Sequence, residues 1–287
     1  MSTTLTPPTT PPAPPTDRPL AGGRRPAPGA RAIAILTAVG GGALILGAMG
    51  TSVLSTVSSG AVETSTLTAP TSGVTALEVD TSAADVEISF GDVDEATLTV
   101  TGVRGAEAWE LGRNDDVLVV DSDRDWWNGW NTWGDTSRAT LVLPQDLAGV
   151  DAQLQVGAGQ MRVEGDFGAL DLRVDAGSLD AVGSATTLET TVSAGRASIE
   201  LDGVTDAAVS LSAGRVSGSL TGTPPASVTV DAEAGAVDLT LPRGSYAVEA
   251  RRDAGSFTSG LTEDSTSSHR VDVRVSAGSV SLRPGIG

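Results

Sequence analysis

The sequence predicts an all-β fold: a single-stranded β-solenoid of about eight coils, preceded by one transmembrane helix and a disordered Pro-rich tail. Three observations lead there. The dipeptide Ala-Gly returns at Ala158, Ala176, Ala194, Ala213, Ala234, Ala254 and Ala277, spaced 18 to 23 residues apart. Apolar residues alternate with period two before each of these alanines, and the phase slips by one residue after the glycine. Finally, 287 residues hold only five Trp, three Phe, one Tyr and no Cys, so a core here packs from Val, Leu, Ile and Ala.

Residues 1–31 contain nine of the 15 prolines, with Arg18, Arg24, Arg25 and Arg31 set against Asp17 alone. Such a stretch favours polyproline II and buries no core. No charge occurs from Ala32 to Val62. Its most apolar part, residues 32–54, spans about 34 Å as a helix, against about 30 Å for a hydrocarbon core. Arginines flank only its N-terminal side, so the positive-inside rule predicts a cytoplasmic tail and an extracellular C-terminal domain. A cleaved signal peptide fits less well: the apolar run is long, and no A-x-A box closes it. Residues 55–76, rich in Ser, Thr and Gly, read as a flexible linker, and 77–287 as the extracytoplasmic domain with a Trp-rich loop at 121–137.

Within that domain the copies read "LQVGAGQMRV", "LRVDAGSLDA", "TTVSAGRASI", "VSLSAGRVSG", "VDAEAGAVDL" and "VRVSAGSVSL". An earlier copy, "LEVDTSAADVEI", has Ala83-Ala84 in place of Ala-Gly. A one-residue slip in a strand turns its apolar side chains to solvent unless the chain bends there. Glycine suits a bend because it reaches backbone angles costly to other residues. Gly159, Gly177, Gly195, Gly214, Gly235, Gly255 and Gly278 are therefore expected as structural corners, with a different corner at Ala84. An antiparallel sandwich also uses short strands, but it has no need of one dipeptide at every corner. Pro144 and Pro242, in the matching segments "LVLPQDL" and "LTLPRGS", should each end a strand, since proline donates nothing to a ladder.

The net charge of −18 argues against nucleic acid as a partner, since phosphate contacts need surplus Lys and Arg. Four of the five Trp lie in "DWWNGWNTWGD" as Trp126, Trp127, Trp130 and Trp133. The segment reads as a long hairpin loop between Val117–Val120 and Ala139–Leu143. It is a candidate platform for a glycan, an envelope protein or the membrane interface, or alternatively a cap over the solenoid's open edge. Asp121, Asp123 and Asp125 have the alternate spacing of a calcium loop, but Trp126 stands where that loop needs glycine and no Glu closes it. His269, in a polar stretch without a nucleophile elbow elsewhere, reads as a surface residue. No catalytic residue and no cofactor is predicted beyond this calcium alternative.

The order of apolar anchor, "LEVDTSAADVEI", Trp-containing loop, "LVLPQDL" and repeated V-x-A-G-x-V-x-L resembles the bacterial putative-adhesin domain family of unknown function, a toastrack-like, membrane-anchored group. The resemblance spans Leu77 to Leu282. It implies a β-solenoid, no established catalytic residue, and association with membrane signalling or envelope stress. The expected function is a non-enzymatic, membrane-anchored module for adhesion, scaffolding or envelope-stress sensing. The alternatives are a carbohydrate-active β-helix enzyme of the cell envelope, marked by acids converging on adjacent coils, and a purely mechanical spacer.

Overall fold

The computed structural model describes residues 63–102, 108–122 and 137–285. The expected tail 1–31, transmembrane helix 32–54, Asp123, Asp125 and the four clustered tryptophans lie outside the described residues. Among those described, no helix is long and apolar enough to cross a membrane.

The fold is all-β. Its strands are β1 (Glu63–Ala69), β2 (Ala76–Thr81), β3 (Ala84–Gly91), β4 (Ala96–Gly102), β5 (Trp109–Asn114), β6 (Val117–Ser122), β7 (Ser137–Pro144) and β8 (Val150–Val156). They continue as β9 (Gln160–Val174), β10 (Ser178–Asp202), β11 (Asp206–Thr221), β12 (Ser227–Leu241), β13 (Ser245–Arg252), β14 (Ser256–Ser259), β15 (Thr262–Glu263) and β16 (Arg270–Pro284). All sixteen join one hydrogen-bonded network. As expected, Pro144 ends β7 and Pro242 follows the last residue of β12.

Two parallel ladders run through this network. The first joins the strands that precede each corner: β6, β2, β8, then the later part of β9, the middle of β10, and the early parts of β11, β12 and β16, ending on β13. The second joins the strands that follow it, from β7 and β3 through β9 to β14. One rung is a strand of each ladder plus the corner between them. In-register stacking makes columns of like residues. One column runs Leu118, Leu77, Ala152, Leu170, Leu188, Ala207, Val228, Val271 and Val248. All but Val248, at the end, are buried. The phase slip behaves as read: in β16, Val271, Val273 and Val275 are buried before the corner and Val280 and Leu282 after it.

Corner glycines do more than bend the chain. Gly159, Gly214 and Gly235 have positive φ of 146°, 116° and 128°, whereas all seven lie too close to a neighbouring rung for a side chain. A Cβ on Gly177, Gly195, Gly214, Gly235 or Gly278 would stand 2.1–2.6 Å from the carbonyl oxygen of the neighbouring rung's corner glycine. On Gly159 it would meet the Ala84 oxygen at 2.2 Å, and on Gly255 the Val275 Cγ1 at 2.2 Å. Missing volume, rather than left-handed geometry, is the shared requirement. Ala84 lacks a positive φ, in keeping with the different first corner.

Two expectations need correction. Residues 63–69, assigned to the flexible linker, form β1, antiparallel to β4. Ser65, Leu67 and Ala69 are buried while Thr64, Thr66 and Thr68 point outward, a half-buried alternation that the Ser/Thr composition masks. The strands β6 and β7 are not a hairpin: β6 pairs with β2 and β5, and β7 with β3 and β4. They are the two strands of one rung, so their hydrogen bonds go to other rungs. Rung order also departs from chain order at both ends. The β2–β3 rung lies between the β6–β7 rung and β8–β9, and β16 lies between β12 and the β13–β14 rung.

At the N-terminal end of the stack, the antiparallel strands β5 on β6 and β4 on β7 cover the open edges. Trp109 and Leu111 of β5 are buried there.

Three outcomes follow on unfolding the chain in urea. Gly214→Val should lose about 3 kcal/mol or more, because it combines positive φ with a backbone collision. Gly203→Ala, at φ 74° with open space around it, should lose only about 1 kcal/mol. Thr190 sits in a buried column between Leu172 and Val209, and its Oγ1 has no hydrogen-bond partner. Thr190→Val keeps the shape and should raise stability by about 1 kcal/mol.

Candidate functional site

Most rungs turn from the first ladder to the second within a few residues, as between Val156 and Gln160 or Val174 and Ser178. The β6–β7 rung is different. It leaves the first ladder at Ser122 and enters the second at Ser137, with the Trp-bearing segment in between. Both departure points are fixed. The Ser82 backbone N–H donates to Ser122 Oγ at 2.9 Å, and Ser137 follows the register in which Ala84 pairs with it. The two described ends of this connection therefore lie at the line of corners, on the rung next to the N-terminal cap.

Beside it on the outward side of the first ladder, Asp121 pairs in register with Asp80. Of the three aspartates with calcium-loop spacing, Asp121 is the one described. No group of three or more His, Asp or Glu able to hold a metal ion occurs among the described residues.

The first ladder gathers acids on its outward side. Glu78, Gln153, Asp171 and Glu189 form one column on consecutive rungs. Asp171 is buried at 7% exposure, accepts from Arg173 Nη2 at 2.8 Å through Oδ2, and keeps Oδ1 buried without a hydrogen-bond partner. Desolvation raises its carboxyl above the usual aspartate value; Arg173 opposes the shift and Glu189 adds to it. On the second ladder some neighbouring rungs carry paired opposite charges: Arg138 faces Asp85 at 4.0 Å, and Arg215 and Arg283 reach Asp238 at 3.7 and 3.5 Å, although Arg196 and Arg215 also pair in register.

The acid column was within reach of the sequence. Glu78, Gln153, Asp171 and Glu189 each stand five residues before the first Ala of their corner dipeptide, so superposing the copies brings them together. A second line of corners was also missed, at Gly165, Gly183, Gly203 and Gly222. A Cβ on Gly183 would meet the Gly165 oxygen at 1.8 Å. Along it, Ser184 Oγ donates to Asp166 at 2.7 Å and Thr221 Oγ1 to Asp202 at 2.6 Å. Its signal was a glycine six to eight residues after the corner glycines at 159, 177, 195 and 214.

His269 has a structural role. Its Nδ1 lies 2.9 Å from the Pro225 carbonyl, where a ring N–H donates, and its ring meets Tyr246 edge-on at 6.0 Å. The Tyr246 hydroxyl donates to the Pro242 carbonyl at 2.7 Å, and burial pushes its pKa up to about 12.

No protein-family model matches the chain, and no curated protein matches it. Among solved structures, it is similar to a putative cell adhesion protein from Clostridium sporogenes, at 8% identity and TM-score 0.37, covering 78% of this chain and 100% of that one. It is also similar to a putative adhesin from Bacteroides fragilis, at 12% identity and TM-score 0.32, covering 77% and 97%. A putative adhesin from Parabacteroides distasonis matches at 11% identity and TM-score 0.29, covering 78% and 98%.

A raised carboxyl pKa means that the folded chain binds more protons than the unfolded one as pH rises past the ordinary value of 3.8. Asp171 therefore costs no stability below that value and lowers stability as pH climbs through its folded pKa. Asp171→Asn should raise the unfolding midpoint at pH 7 and lose that advantage near pH 3, read by thermal unfolding across pH.

Proposed function

We propose that this chain is a non-enzymatic, membrane-anchored β-solenoid that displays a Trp-rich insertion for attachment or sensing in the extracytoplasmic envelope. The observation that carries this reading is the insertion's position. Fourteen residues, 123–136, stand in the sequence where other rungs have a short corner, and at the seven Ala-Gly corners the glycine is stacked too tightly to carry a side chain. Stacked rungs supply a stiff support, and tryptophan supplies amphipathic contact area with a hydrogen-bond donor.

The solenoid part of the reading is supported by the register of the corners: Ala194 and Gly195 pair with Ala213 and Gly214, and Ala234 and Gly235 with Ala277 and Gly278. Membrane anchoring is supported by the uncharged run 32–54 and the arginines before it. The acidic outward side of the first ladder disfavours nucleic acid and favours an envelope protein or glycan.

A second reading has its own observation. Asp171 and Glu189 lie on adjacent rungs with Arg173, the convergence of acids expected of a carbohydrate-active enzyme. Calcium at Asp121, Asp123 and Asp125 belongs to either reading as an accessory to the insertion.

One experiment separates them. The full chain is compared in intact cells with a variant in which Ala-Gly replaces residues 123–136, by photo-crosslinking to envelope components and by sugar release from envelope polysaccharide. The adhesive reading expects at least tenfold less crosslinked product from the variant, an unchanged unfolding midpoint, and no sugar release from either. Unchanged crosslinking sinks it in favour of a spacer. Sugar release abolished by Glu189→Gln sinks it in favour of the enzyme.

A further inference from the structure

We infer that Arg252 keeps its rung terminal and closes the C-terminal end of the stack to strand addition by a second copy of this chain. The argument begins with a column of the first ladder. In register, the residues just before the corners are Val156, Val174, Val192, Leu211, Ala232, Val275 and Arg252. Each of these before Arg252 is apolar and buried, and Thr81, which pairs with Val156 at the column's other end, is buried too, whereas Arg252 is exposed.

That end of the stack has open edges. A strap, residues 260–269, covers only the start of β13: β15 pairs with Ser245 and Tyr246, the Asp264 N–H donates to the Tyr246 carbonyl, and Ser267 Oγ donates to that of Ser245. Among the described residues, no strand pairs with 247–252 or 256–259 on the side away from β16. These are parallel ladder edges with free backbone groups, the usual template for another chain. Ala250 is exposed there, and Val248 and Phe257 are half-buried against the core.

Rung order fits the same cause. The 245–259 segment carries its own Ala-Gly corner and follows β12 in the chain, yet β16 lies between them. Stacked directly on β12 and under β16, Arg252 would be enclosed between Ala232 and Val275. A buried charge without a partner is far more costly than an exposed one. Val271, Val273, Val275, Val280 and Leu282 of β16 lose nothing by enclosure. The same charge obstructs a second copy that would add its own end rung, because Arg252 would then lie under a new rung.

The test compares the full chain, held in one mild detergent, with Arg252→Val, Arg252→Glu and Arg251→Val by light scattering at matched concentrations. Arg252→Val should at least double the weight-average mass relative to the unmodified chain. Arg252→Glu, which keeps a charge in the column, and Arg251→Val, which removes one from the outward side, should leave the mass unchanged. Because the chain has no Cys, Ala250→Cys adds a second readout: a disulfide-linked dimer in the Arg252→Val background and none with Arg252 retained. The inference fails if Arg252→Val keeps the original mass and yields no dimer. It fails equally if either control variant associates as strongly.

Discussion

Everything in this structure depends on one close approach. The carbonyl oxygen of one corner occupies the volume that a side chain on the next corner would need, at 2.1 to 2.6 Å from where its Cβ would stand along the glycine line. Those carbonyls are also used. The Ser178 N–H donates to Gly159 O and the Arg196 N–H to Gly177 O, at 2.9 and 3.1 Å. Each corner thus locks the next into its own conformation, and register propagates along both ladders. Strands as long as Ser178–Asp202 follow from this: they pass around corners without losing their hydrogen bonds, so they run on where an ordinary sheet would break.

Such register has an electrostatic consequence. Parallel pairing stacks equivalent positions at about 4.8 Å, so a charge repeated in every copy would meet itself on both sides. The two ladders resolve this differently. On the second, Arg215 and Arg283 both reach Asp238 from neighbouring rungs, which offsets the in-register stacking of Arg196 on Arg215. On the first, Gln153 separates Glu78 from Asp171, and Arg173 offsets Asp171 within its own strand. Burial nevertheless dominates at Asp171: desolvation makes its carboxyl hold the proton more tightly than usual, Arg173 opposes the shift, and Glu189 adds to it. The first ladder therefore carries the more negative outward surface, and the Trp-bearing insertion leaves from its edge.

The sequence made the rung legible and left the order of rungs hidden, for one reason. A local pattern such as V-x-V-x-A-G-x-V specifies alternation, bend and inward side, all properties of a single rung. Neighbour identity needs a difference between copies, and the copies were nearly alike. The hairpin expected between Val117–Val120 and Ala139–Leu143 failed on this point: strand, long loop, strand fits a hairpin and a rung with a large corner equally well. The strand Glu63–Ala69 was hidden by its threonines, which resemble linker composition while suiting a pleated, half-buried surface. The acid column was spelled out five residues before each corner dipeptide, but it emerges only when copies are superposed instead of searched for motifs.

Order enters where copies differ in what they can leave exposed. An interior rung is covered on both sides and a terminal rung on one, so burial is greatest when the most aliphatic copies lie inside. The 270–284 copy, with five Val or Leu in inward positions, gains a full second neighbour by moving in; the 245–259 copy, with Ala250 and Ser259 in equivalent positions, loses little by staying out. A comparable logic holds at the other end, where the β6–β7 rung carries the long insertion. Antiparallel strands with Trp109, Leu111, Leu98 and Val100 buried cover that rung, so its outer neighbour is built from a different kind of segment and the Ala-Gly corner is not needed there. Among the described residues no further Ala-Gly rung covers this one, and it is here that the sequence places fourteen residues, 123–136, between β6 and β7. The geometry that leaves no room for a side chain at the seven corner glycines is thus relaxed toward this end of the stack, first at Ala84 and then at the rung from which the candidate binding segment departs.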